Sequence, residues 1–75
     1  MTEDALLLIV SEQLDTAMHD ADLTHRSLAE RSNLNPNTVL RVSKGYNSRL
    51  STLAALAEAT GCDVELRFIR RKRNP

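Results

Sequence analysis

Residues 24–45, THRSLAERSNLNPNTVLRVSKG, decide the fold. Their apolar members Leu28, Ala29, Leu34, Val39 and Val42 stand 1, 5, 5 and 3 residues apart. A single long helix would repeat its stripe every three or four residues, so this spacing describes two short helices sharing one core. Thr24 is placed to cap the first, which runs to about Ser32. Asn33 falls where the chain must turn sharply, and Asn tolerates a left-handed backbone better than other residues that carry a side chain. Asn35-Pro36 restarts the helix, with Asn35 as cap and Pro36 at the first helical position, where a missing N–H costs nothing. Proline also disfavours a helical backbone at Asn35, which keeps the two helices from fusing. Gly45 closes the second helix, with Lys44 in its last turn. The stretch is a helix-turn-helix.

The rest of the chain must supply a core for it. Seventy-five residues suit one small domain near the lower size limit. Residues are 41% hydrophobic but only 3% aromatic, so that core is built from Leu, Val, Ile and Ala. Two glycines and two prolines leave little room for long loops and favour a compact helical fold. LLLIV at 6–10 is far short of the ~20 apolar residues of a membrane span and follows acidic residues, so neither a membrane partner nor a signal peptide is expected. A single cysteine, Cys62, can form no internal disulfide and no zinc site by itself. The expected location is the cytoplasm.

Net charge is zero, yet the charges are segregated. Residues 1–22 hold six acids (Glu3, Asp4, Glu12, Asp15, Asp20 and Asp22) and no Lys or Arg, whereas residues 23–75 hold ten bases against four acids. A phosphate backbone responds to the local field, so a neutral but polarised domain can still offer a basic face. Neutrality predicts weaker non-specific binding than a uniformly basic domain would show.

Residues 4–20 read as a first helix, with Asp4 either capping it or placing negative charge in its first turn. Leu7, Val10, Leu14, Ala17, Met18 and Ala21 form its inward stripe. Leu6 and Ile9 lie off that stripe, either tucked under another segment of the chain or facing a second subunit. A fourth helix runs from a Ser48 cap to Gly61, with Leu50, Leu53, Ala54, Leu56 and Ala57 on its buried face. Beyond Gly61 the period changes, as Val64, Leu66 and Phe68 alternate with Glu65, Arg67 and Ile69 in the manner of a strand. No other segment reads as its partner, so pairing with the same strand of a second copy is expected. The domain plan is 1–62 for the helical domain, 63–69 for the strand and 70–75 for a basic tail without defined structure.

Function is expected on the second helix of the motif. With Val39 and Val42 inward, Asn37, Thr38, Arg41 and Lys44 project from the other side, and Asn37 and Arg41 are one turn apart. Asn and Thr are poor helix formers, costly choices for an idle surface. A helix of this size enters the major groove, where Asn can pair with adenine and Arg with guanine through two hydrogen bonds each. Leu40 lies between the two faces, either touching a thymine methyl or packing on the fourth helix. No catalytic constellation appears: His19 and His25 lack a defined nucleophile, there is no Gly-rich phosphate loop, and Glu12 and Asp15 suit a solvated helix face. Cys62 is expected as a small buried apolar residue. Neither an enzyme nor a cofactor or metal is expected.

The stretch LTHRSLAERSNLNPNTVL, Gly45 and the later LSTLAALAEATG together resemble the Cro/repressor-type helix-turn-helix family, also called the XRE family, over about residues 7–63. The resemblance implies a mainly α, four- to five-helix lambda-repressor-like domain, here with a short C-terminal β-strand. It makes residues 35–44 the recognition helix, with Asn37 and Arg41 at positions that commonly read bases; Thr38 is expected to join them in reading bases. It places His25 and the loop Tyr46, Asn47, Ser48 and Arg49 at phosphate contacts, to which Arg26, Asn35 and Lys44 are expected to add. Two departures stand out. The family often pairs a Glu near the end of the third helix with an Arg on the first, and Ser43 and Met18 occupy those positions, so no unpaired charge is left behind. His25 stands where the family often has Gln, and it can equally be an exposed polar residue.

The terminal DVELRF resembles the last strand of antitoxin-type members that pair strands across a dimer. The implied function is a homodimeric repressor on a palindromic double-stranded DNA operator. Leu6, Ile9, Val64, Leu66 and Phe68 form its expected dimer interface. The rival is an antitoxin that chiefly neutralises a partner toxin. A phage repressor or a restriction-system controller would share the same DNA mechanism.

Overall fold

The structure, a computed structural model, describes residues 1–72. Four helices occur among them, α1 (Glu3–Asp20), α2 (His25–Ser32), α3 (Pro36–Ser43) and α4 (Leu50–Thr60). The first three begin on side-chain caps. Thr2 accepts from the Ala5 N–H at 3.1 Å, so Asp4 takes the other role foreseen for it and adds negative charge to the first turn. Thr24 accepts from the Ser27 N–H at 3.1 Å while Ser27 accepts from the Thr24 N–H at 2.8 Å, a reciprocal box. Asn35 accepts from the Asn37 N–H at 2.8 Å, with Pro36 next in line. Ser48 does not cap α4. Helix α4 starts one residue later on Arg49, whose backbone is extended and whose side chain has no acceptor to offer.

All four helices close in the same way, on a residue with positive φ: Asp22, Asn33, Gly45 and Gly61. At each end the following residue donates back to the helix, as in Leu23 N–H to the Met18 carbonyl at 2.9 Å and Leu34 N–H to the Ala29 carbonyl at 3.0 Å. These bonds satisfy carbonyls that the last turn leaves without intrahelical partners. The turn of the helix-turn-helix is therefore set by Asn33, as its chemistry indicated.

Leu14 and Met18 from α1, Leu28 and Ala29 from α2, Val39 and Val42 from α3, and Leu56 from α4 form one buried cluster. Helix α3 packs against both α1 and α2, and α4 packs across α1 and α2. The eight-residue α3 is thus held from two sides while its outer face stays open. On α4 the buried face centres on Leu53, Leu56 and Thr60, so Leu50 and Ala54 roll off its edge. Leu50 is 70% exposed, contrary to its expected burial, and Ala54 is exposed too.

Leu6, Leu8 and Ile9 are exposed, and no described segment of the chain covers them. Cys62 is exposed rather than buried, because Gly61 turns the chain off the end of α4. Beyond it the expected strand does not form: residues 62–72 belong to no helix or strand. A lone segment has no ladder to join, and Val64, Leu66 and Phe68 all stand in solvent, Phe68 at 97%. Within this segment Arg67 Nε donates to Glu65 Oε1 at 2.8 Å. Of the basic tail, Arg70, Arg71 and Lys72 are exposed, and residues 73–75 lie outside the described residues. No helix among the described residues is long and apolar enough to cross a membrane.

Candidate nucleic-acid interface

Helix α3 turns Val39 and Val42 into the core, and the 3.6-residue period then sends Asn37, Arg41 and Lys44 to the opposite side, where all three are exposed. Thr38 is half-buried at the flank of that face, and Leu40 is 37% exposed at its other border. Asn35 is exposed, but its side-chain oxygen is committed to capping, which leaves its amide NH2 to meet a ligand. His25 and Arg26 are exposed in the first turn of α2. Arg26, Asn35 and Pro36 line one shallow depression with Asn33 and Leu34, so the starts of α2 and α3 share a surface. In the loop after α3, Tyr46, Asn47 and Arg49 are exposed and Ser48 is half-buried.

Two features of this surface escaped the sequence reading. The first is Ser11, a buried polar residue on α1, whose hydroxyl donates to the Ser43 carbonyl at 2.5 Å. That carbonyl lies in the last turn of α3, so the bond ties the helix to α1 directly. It joins the elements that an Arg–Glu pair often joins in the resembling family, although Met18 itself is packed in the core and Ser43 Oγ donates to the Leu40 carbonyl at 2.8 Å. The signal was present in principle: Ser11 is four residues after Leu7 and three before Leu14, a polar interruption of the apolar stripe. No buried side-chain nitrogen or oxygen among the described residues lacks a partner.

The second is the end of α3. Gly45 at φ +87° lets the chain reverse, so that the Gly45 N–H donates to the Val42 carbonyl at 3.1 Å and the Tyr46 N–H to the Arg41 carbonyl at 3.0 Å. The reversal brings the Tyr46 ring under the Arg41 guanidinium, whose central carbon lies 4.6 Å from the ring centroid.

These elements, in this order and with this outward polar helix, match a known family over most of the chain. The model described as the Cro/C1-type HTH DNA-binding domain aligns with residues 13–65, from within α1 to just past α4. The chain belongs to the Cro/C1-type helix-turn-helix family. Comparisons with curated proteins and with solved structures returned no match. Membership makes the chain a DNA-binding transcriptional regulator, in a family of regulators rather than of enzymes.

Proposed function

We propose that the protein is a sequence-specific repressor acting as a homodimer, each subunit laying residues 35–44 in a major groove. The observation that carries this reading is the pair Asn37 and Arg41, exposed one turn apart opposite buried Val39 and Val42. Asn37 and Arg41 read base edges, with Thr38 at the flank of the same face. His25, Arg26, Asn35, Lys44, Tyr46, Asn47, Ser48 and Arg49 position the domain on phosphates without specifying sequence. Two copies place two recognition helices on a palindromic operator, with half-sites about one helical turn apart. Leu6, Ile9, Val64, Leu66 and Phe68 are the apolar side chains available for the subunit contact, through pairing of the two 63–69 segments. A cytoplasmic location suits this role.

The experiment is binding to a duplex selected from a random-sequence pool, compared with unselected duplex. Arg41→Ala should weaken the selected site by about 1–3 kcal/mol and relax preference at one base position. Equal losses on both duplexes would remove Arg41 from base reading.

A second reading draws on the same exposed apolar residues at both chain ends. In it the protein is an antitoxin, and Leu6, Ile9 and the 63–69 segment hold a partner toxin while operator binding serves autoregulation. Co-expression with the product of a neighbouring gene separates the two: a stable stoichiometric complex favours the antitoxin, and a homodimer that binds its own upstream region unaided favours the repressor.

A further inference from the structure

Arg41 is an exposed side chain with many rotamers, and reading one base requires one of them. Holding a long side chain in a single geometry costs entropy that a contact in the free protein can offset in advance. The end of α3 supplies such a contact. The Gly45 and Tyr46 backbone bonds to Val42 and Arg41 fix where Tyr46 starts, and the guanidinium lies 4.6 Å from the centre of its ring. That distance is within the ~6 Å range of cation–π attraction, and a planar guanidinium also stacks on an aromatic face. In helix ends of this type the two positions involved, the residue after the glycine and the residue five before it, commonly make an apolar contact. Here a ring and a charge take that place.

We propose that Tyr46 is a positioning residue for base readout: it holds the Arg41 guanidinium in one orientation over its ring before DNA arrives. The inference rests on the proposed base-reading role of Arg41 and gives Tyr46 a different task from the phosphate contact expected of its hydroxyl. The ring, rather than the hydroxyl, carries this task. Tyr46 is 51% exposed, and the backbone bonds that close α3 do not involve its side chain, so substitution leaves the helix end intact.

The test uses the full chain, the selected duplex and unselected duplex as probes, and the variants Tyr46→Ala, Tyr46→Phe and Arg41→Ala, with melting curves to establish that each is folded. Tyr46→Ala should reduce the preference for the selected duplex by roughly two- to fivefold, while Tyr46→Phe keeps it. The Tyr46→Ala loss should vanish in an Arg41→Ala background, because the two act as one unit. In the free protein, Tyr46→Ala should also abolish the ring-current shift of the Arg41 side-chain protons in NMR spectra, and Tyr46→Phe should retain it. If both Tyr46 variants lose affinity equally on the two duplexes, Tyr46 acts only through a phosphate contact of its hydroxyl and the positioning role is wrong. If Arg41→Ala lowers preference but Tyr46→Ala does not, the positioning role alone fails. If Arg41→Ala lowers both affinities equally, the base-reading role of Arg41 fails first and takes the inference with it.

Discussion

Ser11 holds the last turn of α3 through a single hydrogen bond to a carbonyl that the helix cannot satisfy internally. Ser11→Ala should destabilise the domain by about 1 kcal/mol, the usual net worth of a bond whose removal strands a partly buried partner. Urea unfolding checks this, and an unchanged midpoint would mean that water takes over the carbonyl freely. Gly45 acts at the same end through its backbone. Nothing lies within 4 Å of where its Cβ would stand, so Gly45→Ala tests φ +87° alone and should cost about 1–2 kcal/mol. Because that turn also places Tyr46 under Arg41, the same variant should lose sequence preference at temperatures where it remains folded.

At the scale of the element, α3 has eight residues, too few to be stable by themselves when isolated helices shorter than ~12–15 residues are marginal in water. Its geometry therefore depends on what it packs against. Leu28, fully buried in α2, belongs to the cluster that seats Val39 and Val42. Leu28→Ala should cost about 2–5 kcal/mol, measured by thermal or urea unfolding, and should weaken binding to selected and unselected duplexes alike. The 63–69 segment is the opposite case, a stretch that no other described segment pairs with. A chain truncated after Gly61 keeps all four helices and the buried cluster. Such a chain should sediment as a monomer where the full chain sediments as a dimer, and a truncated chain that stays dimeric would remove the segment from the subunit contact.

Over the whole molecule, acid concentrates on α1 and base on the remainder, and the sum conceals both. The fold keeps Glu12 and Asp15 exposed on α1, and exposed acids lower the attraction of the whole domain for a polyanion. Glu12→Gln with Asp15→Asn should raise affinity for unselected duplex at low salt and leave base preference unchanged. The gain should shrink as salt approaches physiological strength, where the screening length is ≈ 8 Å. A salt titration of the double variant against the parent reads this directly.

Local chemistry made the helix-turn-helix legible in the sequence: Thr24, Asn33, Asn35-Pro36 and Gly45 each act on their own backbone within a few residues, so their roles need no distant partner. The outward face of α3 followed from the same local logic, since burying Val39 and Val42 leaves Asn37 and Arg41 no other side. Contacts between elements were not legible. Ser11 meets Ser43 across 32 positions of chain. Leu50 stands in solvent because α4 rolls slightly away from it, and Cys62 does so because Gly61 turns the chain outward. The alternating 63–69 segment shows the limit most plainly, because periodicity records the faces that a strand would present, while hydrogen bonding needs a neighbouring strand, and none occurs among the described residues. Sequence determined the helices, the ends of α2 and α3 and the polar face of α3. Tertiary structure decided how that helix is pinned to α1, how Arg41 is held, and which apolar side chains remain uncovered, because each of these depends on distances between residues that local chemistry does not set.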